Sequence, residues 1–309
     1  MKRKNKFLAL LLAATLSFSV TACGSADSDP ADSEKQTTED NKEGGDKSSD
    51  VDVLAAAQEK MKTDKISSLN GKMVMDMEMT INANGESQSM QSVNTIDMSC
   101  LYDPVRIKLD MTVDAGEAGT SDMSMYIDAD ENGTYTMYMS DGTNWQSQAV
   151  EVGQIEQYDA SSNMSEYMQD SYDYQDAGSE QVDGKNARKY TGTIKGDDLK
   201  DTVMSTGALD SLSSLGMDTS QVETMFSDLG DLPITLWIDE EGLVPVKYEM
   251  DMAPLMNKLM ANMIEAMGEE AEGVSMEFGK MFVTMTCSDY NAVEEFEIPE
   301  EAKAAAPAA

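Results

Sequence analysis

Twenty-seven methionines, three cysteines, 58 acidic side chains and no histidine set the chemistry open to this 309-residue chain. Without an imidazole there is no Ser-His-Asp or Cys-His nucleophile and no His-held zinc or haem. Carboxylates can still do acid–base work, for instance as a glycosidase pair. No pair stands out among so many, however, and the chain reads as a non-enzyme with no cofactor and no catalytic residue. Thioethers are the distinctive resource. Met-X-Met recurs at Met73–Met79, Met123–Met125 and Met137–Met139. Such sulfurs suit Cu(I), but no histidine or nearby cysteine pair accompanies them, and no metal site is assigned. They also make a deformable lining for a variable apolar ligand, or simply an adaptable core. Cys100 and Cys287 stay open between a disulfide and two buried thiols. A bridge over so long a loop is worth about 4–5 kcal/mol in the chain-entropy model. Asp128–Gly133 starts like a calcium loop, but Met139 stands where its last carboxylate belongs, so a hairpin turn is expected.

Strands must hold most of these side chains. Met73, Met75, Met77, Met79 and Ile81 alternate with Lys72, Val74, Asp76, Glu78 and Thr80, up to the turn signal Asn84-Gly85. Ile96, Met98 and Cys100 share one face of the next strand. Val105, Ile107, Leu109, Met111 and Val113 share one in the strand after Asp103-Pro104. Met123, Met125 and Ile127 continue the pattern, then Tyr135, Met137 and Met139, with Asp141-Gly142 closing a hairpin before Trp145. Closely spaced turns between two-faced strands predict an antiparallel meander. Later strands are expected around Tyr190–Ile194, at Ile234–Ile238 and Leu243–Met250, and from Val274 to Tyr290, with a bulge at Gly279 where the apolar parity changes.

Two helices stand out. Residues 51–65 place Val53, Leu54, Ala57 and Met61 on one face. After Pro254, the stripe Leu255, Met256, Leu259, Met260, Met263, Ile264 and Met267 runs up to Gly268, with Asn257, Lys258, Asn262 and Glu265 on the polar face. Residues 197–229 read as an interrupted helical stretch, and 150–180 is polar with scattered tyrosines.

The N-terminus gives the location. Lys2, Arg3, Lys4 and Lys6 precede an apolar run from Phe7 to Val20, then Thr21-Ala22-Cys23. These are the marks of an export signal, with a core too short to span a bilayer. Val20–Cys23 resembles the lipobox of bacterial lipoproteins, which implies lipidation of Cys23 and a place on the outer face of the cell membrane. Cleavage before Cys23 removes four cations and no acid, taking the formal charge from −36 to −40. That charge disfavours nucleic acid as a partner.

The order of elements, the phrases Asp183-Gly184-Lys185 and Leu236-Trp237-Ile238-Asp239, and the ending Phe296–Glu301 resemble the LolA/LppX-like lipoprotein superfamily. The resemblance implies an α+β fold: a curved antiparallel sheet, an incomplete barrel, with helices covering its concave face. The expected sheet has about nine to eleven strands with three or four helices on its inner side. It further implies a cavity for acyl chains. The expected organisation is a signal peptide over 1–22, a lipid-anchored disordered tether over 23–50, the folded domain over 51–301 and a disordered tail over 302–309. The ligand-cavity candidates are Met75, Met77, Leu109 and Met111 on the sheet and Met256, Met260 and Met263 on the helix. The expected role is a carrier or sensor for a lipid or other hydrophobic ligand. The competing reading is an envelope interaction protein with a filled core, meeting an unidentified protein partner through its acidic surface or the tyrosines of 158–174.

Overall fold

The computed structural model describes residues 52–83, 86–129, 133–150, 167–199, 224–267 and 274–307. The two-residue alternation of the sequence becomes one open, curved sheet of twelve strands. In chain order these are β1 (Ser68–Ala83), β2 (Glu86–Tyr102), β3 (Val105–Asp114), β4 (Thr120–Ala129), β5 (Tyr135–Ser140), β6 (Trp145–Val150), β7 (Gln175–Val182), β8 (Lys185–Ile194), β9 (Leu232–Asp239), β10 (Pro245–Asp251), β11 (Val274–Ser288) and β12 (Ala306–Pro307). Their spatial order is β12-β6-β5-β4-β3-β2-β1-β11-β10-β9-β8-β7. Every pairing is antiparallel except that of the two-residue β12 with β6. Two meanders thus meet where β11 returns to lie beside β1. In that pairing Glu78 faces Lys280 and Met79 faces Phe278, so Gly279 is the extra residue of a bulge.

Helix α1 (Val53–Thr63) starts at Asp52, whose carboxylate accepts from the Ala55 amide at 3.2 Å. It buries Ala57 and rests Val53, Leu54 and Met61 against the main core. Helix α2 (Ala253–Met267) has Pro254 in its first turn, where a missing amide hydrogen costs nothing. It buries Leu255, Met256, Leu259 and Met260 on the sheet, each contributing about 1.5–3 kcal/mol. Two residues of its polar face are tied to neighbouring backbone. Asn257 donates to the Phe278 carbonyl at 2.9 Å and accepts the Phe278 amide at 2.7 Å. Asn262 is buried and donates to the carbonyls of Met225 and Ser227. Both amides stitch the helix to neighbouring backbone, because a buried main-chain group needs a partner. Gly268 and residues 200–223 lie outside the described residues, as do Asn84-Gly85 and 130–132.

Two expectations are corrected. The tail is not unstructured from Ala302 as far as Pro307. A short helix α3 (Glu300–Lys303) and β12 lie there, and Ile298 and Ala302 are buried against Tyr126 on the sheet face opposite the main core. The alanine-rich tail looks apolar-poor, but an alanine is what fits flat on a sheet beside aromatic rings. Tyr167 and Tyr172 are not a surface patch; both are buried, in a group of tilted and edge-on rings that takes in Tyr174, Tyr190 and Tyr248. Tyr158 lies outside the described residues. Of the two states left open for the cysteines, the structure has the second: Cys100 and Cys287 are both buried and are not joined to each other. Cys100 sits opposite Leu69 and Cys287 opposite Gly71, on strands flanking β1 from either side. Two strand spacings come to about 9–10 Å, beyond the reach of about 7 Å between Cα atoms that a disulfide allows.

Candidate functional site

The sheet register builds the candidate site row by row on the face beneath α1 and α2. One row runs Tyr190, Leu236, Tyr248, Met285, Met73, Ile96, Met111, Met123 from β8 to β4. A second runs Cys287, Gly71, Met98, Leu109, Met125, Met139 from β11 to β5. A Cβ at Gly71 would meet the Met98 Cε at 2.8 Å and the Met285 Cε at 3.4 Å, the flexible ends of two side chains that lie over it. The thioether ends fold over the gap and join the two halves of the face.

Burial changes along each row. Leu236, Tyr248, Met285 and Met73 are buried beneath the helices, whereas Ile96, Met111 and Met123 are half-buried. The apolar face therefore continues past the cover that the described helices give. Charges lie on the other face, where Lys72 reaches Asp97 at 3.3 Å and Lys108 reaches Asp110 at 2.7 Å. Among the described residues, the inner face of β1 to β5 carries no charged side chain except Glu86 at the hairpin end. One polar atom is exceptional. The Asn94 Oδ1, between Met75 and Val113, is buried with no hydrogen-bond partner among the described residues. An unmet acceptor of this kind costs about 1–3 kcal/mol.

Of the residues singled out in the sequence, Met75, Met77, Met256, Met260 and Met263 come together in one packed cluster between β1 and α2. Leu109 lies instead in a smaller cluster with Cys100, Ile107 and Ile127, and Met111 sits between the two, opposite Ile96. None of the seven lines the cavity at the end of α1 or the groove beside Gly71 and Met98. Met98, Met123, Met125 and Met139 complete the half-buried patch and were not among those candidates. Their alternation was visible, but which strands lie under a helix was not. Cys23 lies outside the described residues.

Burial sets the protonation of the few titratable groups at the face. It pushes the Cys287 thiol up to about 12 and raises the Tyr248 and Tyr290 phenols well above their ordinary range. All three stay neutral at physiological pH. Such a surface can hold an apolar body and orient it by one amide oxygen.

The chain matches the model of a family of unknown function, DUF6612, over residues 49–307. It belongs to that family. The matched span of this DUF6612 chain runs from before α1 through β12. No curated protein sequence is similar to it. Among solved structures it is similar to the lipoprotein LppX of Mycobacterium tuberculosis, at 14% identity and TM-score 0.38, covering 81% of this chain and 100% of that one. LprF from Mycobacterium bovis is similar at 16% identity and TM-score 0.42, over 81% and 95%. A putative outer membrane lipoprotein-sorting protein domain from Vibrio parahaemolyticus follows at 12% identity and TM-score 0.21, over 78% and 94%. With TM-scores below 0.5, ligand and role have to be argued from the DUF6612 chain's own residues.

Proposed function

We propose that this protein is a non-enzymatic lipoprotein, anchored through Cys23 on the outer face of the cell membrane, that binds a lipid or other hydrophobic ligand on its methionine-rich face. The observation that carries the reading is the uncharged apolar patch on β2 to β5, continuous with the core under α2 but only half-buried. The site thereby moves one step from the helix–sheet seam to Met98, Leu109, Met111, Met123 and Met125, with Met75 and Met77 at its inner margin. Unbranched thioethers repack around different shapes at little cost, which suits a ligand of variable chain. Asn94 supplies the single polar anchor that such sites use to fix orientation. Signal peptide 1–22 and tether 23–50 belong to the same proposal: they deliver the domain across the membrane and hold it there.

The packed state of Met256 and Met260 favours a second reading, a filled core whose outer surface meets a protein partner. Native mass spectrometry with solvent extraction on the purified protein separates the two. Co-purifying acyl species, depleted in a Met111→Gln/Met125→Gln variant that folds normally, support the ligand reading. A clean apo mass with no uptake of a fluorescent fatty acid moves the case to the partner.

A further inference from the structure

Where the end of α1 meets the β7–β8 turn, the β9–β10 turn and the loop after β11, the surface sinks into a cavity of about 400 Å³. Lys60, Asp64, Lys185, Asp239 and Asp289 bring charge to it, and Met61, Ile66, Val244 and Tyr290 give it apolar walls. The charges are not equivalent. Asp239 is buried; its Oδ1 accepts the amides of Glu241 and Gly242 at 3.0 and 3.1 Å, and its Oδ2 lies 3.6 Å from the Lys185 Nζ. That pair answers itself.

Three charges remain. The Lys60 Nζ donates to the Gly242 carbonyl at 2.8 Å, which fixes the ammonium but leaves its charge uncancelled and donors to spare. Asp289 takes Asn70 and Ser288 on one oxygen, Oδ2; these donors, with a smaller pull from the Lys185 ammonium, hold its carboxyl below the usual carboxylate range. Asp64 is the C-cap residue of α1, whose last turn carries Lys60 and Lys62; its carboxylate is exposed at the cavity and makes no ion pair among the described residues. A simple anion would meet the carboxylates and a simple cation the ammonium groups. A molecule carrying both charges meets neither objection.

The walls are preformed. Leu243, Asp289 and Asn291 all hold positive φ, at 51°, 52° and 59°. Asp and Asn visit this region readily, but a leucine there is strained, and such strain concentrates at functional sites. Hydrogen bonds from the Leu243 amide to the Asp239 carbonyl at 2.8 Å and from the Asn291 amide to the Ser68 carbonyl at 2.9 Å keep the turns in place.

We infer that this cavity binds a compact zwitterion, its anionic group on Lys60 and its ammonium on Asp64 and Asp289, with a short aliphatic spacer against Met61 and Ile66. A free amino acid or small peptide has this chemistry, and so does the phosphoethanolamine head of a lipid. The inference does not depend on the apolar-ligand reading, because none of that face's candidate residues lines the cavity.

Calorimetric titration of the intact protein in detergent tests it, with glycylglycine and phosphoethanolamine as zwitterions and acetate and ethylammonium as the separate halves. One zwitterion should saturate the protein at millimolar concentration or below while neither half does. Lys60→Gln and Asp64→Asn should each weaken it about tenfold or more, the loss expected for a charge-assisted contact, and Lys108→Gln, on the outer face of β3, should not. Asp64 is exposed at a helix end, so its variant keeps the test valid if Lys60→Gln disturbs folding. Phosphatidylethanolamine in the micelles that displaces phosphoethanolamine assigns the lipid head. Dipeptide binding indifferent to that lipid assigns a free solute. No saturation by roughly 10 mM, a half binding as tightly as the whole, or wild-type affinity in both variants overturns the inference.

Discussion

At the scale of single residues, the thiols show how neighbours decide chemistry. Cys287 lies in an aromatic, fully buried setting that pushes its thiol up to about 12. In the unfolded chain the same thiol titrates near 8.5. A raised folded-state value means that stability is complete below the unfolded value. It is lost as pH climbs from there toward 12, because only the unfolded chain gives up its proton. Tyr248 and Tyr290, raised for the same reason, act in the same direction at higher pH. We therefore expect urea midpoints to hold up to about pH 8.5 and to fall steadily above it. Cys287→Ala should flatten the first part of that fall. A variant and wild type that decline in parallel between pH 9 and 11 would show the thiol to be more accessible than its burial indicates. Trp237 is another residue set by its neighbours. It is buried on the outer face with the Lys189 and Lys247 ammonium groups 4.9 and 4.5 Å from its ring centroid, and its indole donates to Glu180.

At the scale of elements, the two halves of the methionine face should respond differently to the same substitution. Met260 is buried between α2 and β11, so Met260→Ala leaves a cavity and should cost about 2–5 kcal/mol. Met123 is only half-buried on β4, and Met123→Ala should cost under about 1 kcal/mol, since part of its side chain gains little from burial. Equal costs in urea unfolding would mean that the β4 half is as closed as the α2 half, leaving no room for a ligand. Individual elements were legible from the sequence because each announces its own period. The Met73–Ile81 alternation gave β1, the Leu255–Met263 stripe gave α2, and the parity change gave the Gly279 bulge. Side chains whose role depends on a distant partner were not legible. Asn257 and Asn262 look like solvated polar residues until β11 and the Met225–Ser227 backbone are placed beside them. Ile298 and Ala302 look like a loose tail until Tyr126 offers a surface. The zwitterion cavity is the extreme case: it is assembled from four turns spread between Lys60 and Ala292, and no local pattern foretells it.

At the scale of the whole molecule, charge is the governing asymmetry: 58 acidic against 22 basic side chains. Among the described residues most cations are already spent on ion pairs, such as Lys280 with Asp76 at 2.6 Å and Lys195 with Asp231 at 3.0 Å. These pairs are largely exposed, so water screens them and each adds little to stability. The acids in excess remain, and their mutual repulsion favours the expanded chain. Salt acts on both terms. It weakens the pairs slightly, but it screens a far larger number of repulsive distances once the Debye length falls from about 10 Å at 0.1 M to about 3 Å at 1 M. Because repulsion outnumbers attraction, the melting temperature should rise with sodium chloride over this range and level off as screening saturates. Thermal unfolding followed by circular dichroism measures this directly. A melting temperature that drops as salt is added would mean that the cross-strand pairs, and not the acidic excess, dominate the electrostatics of the fold.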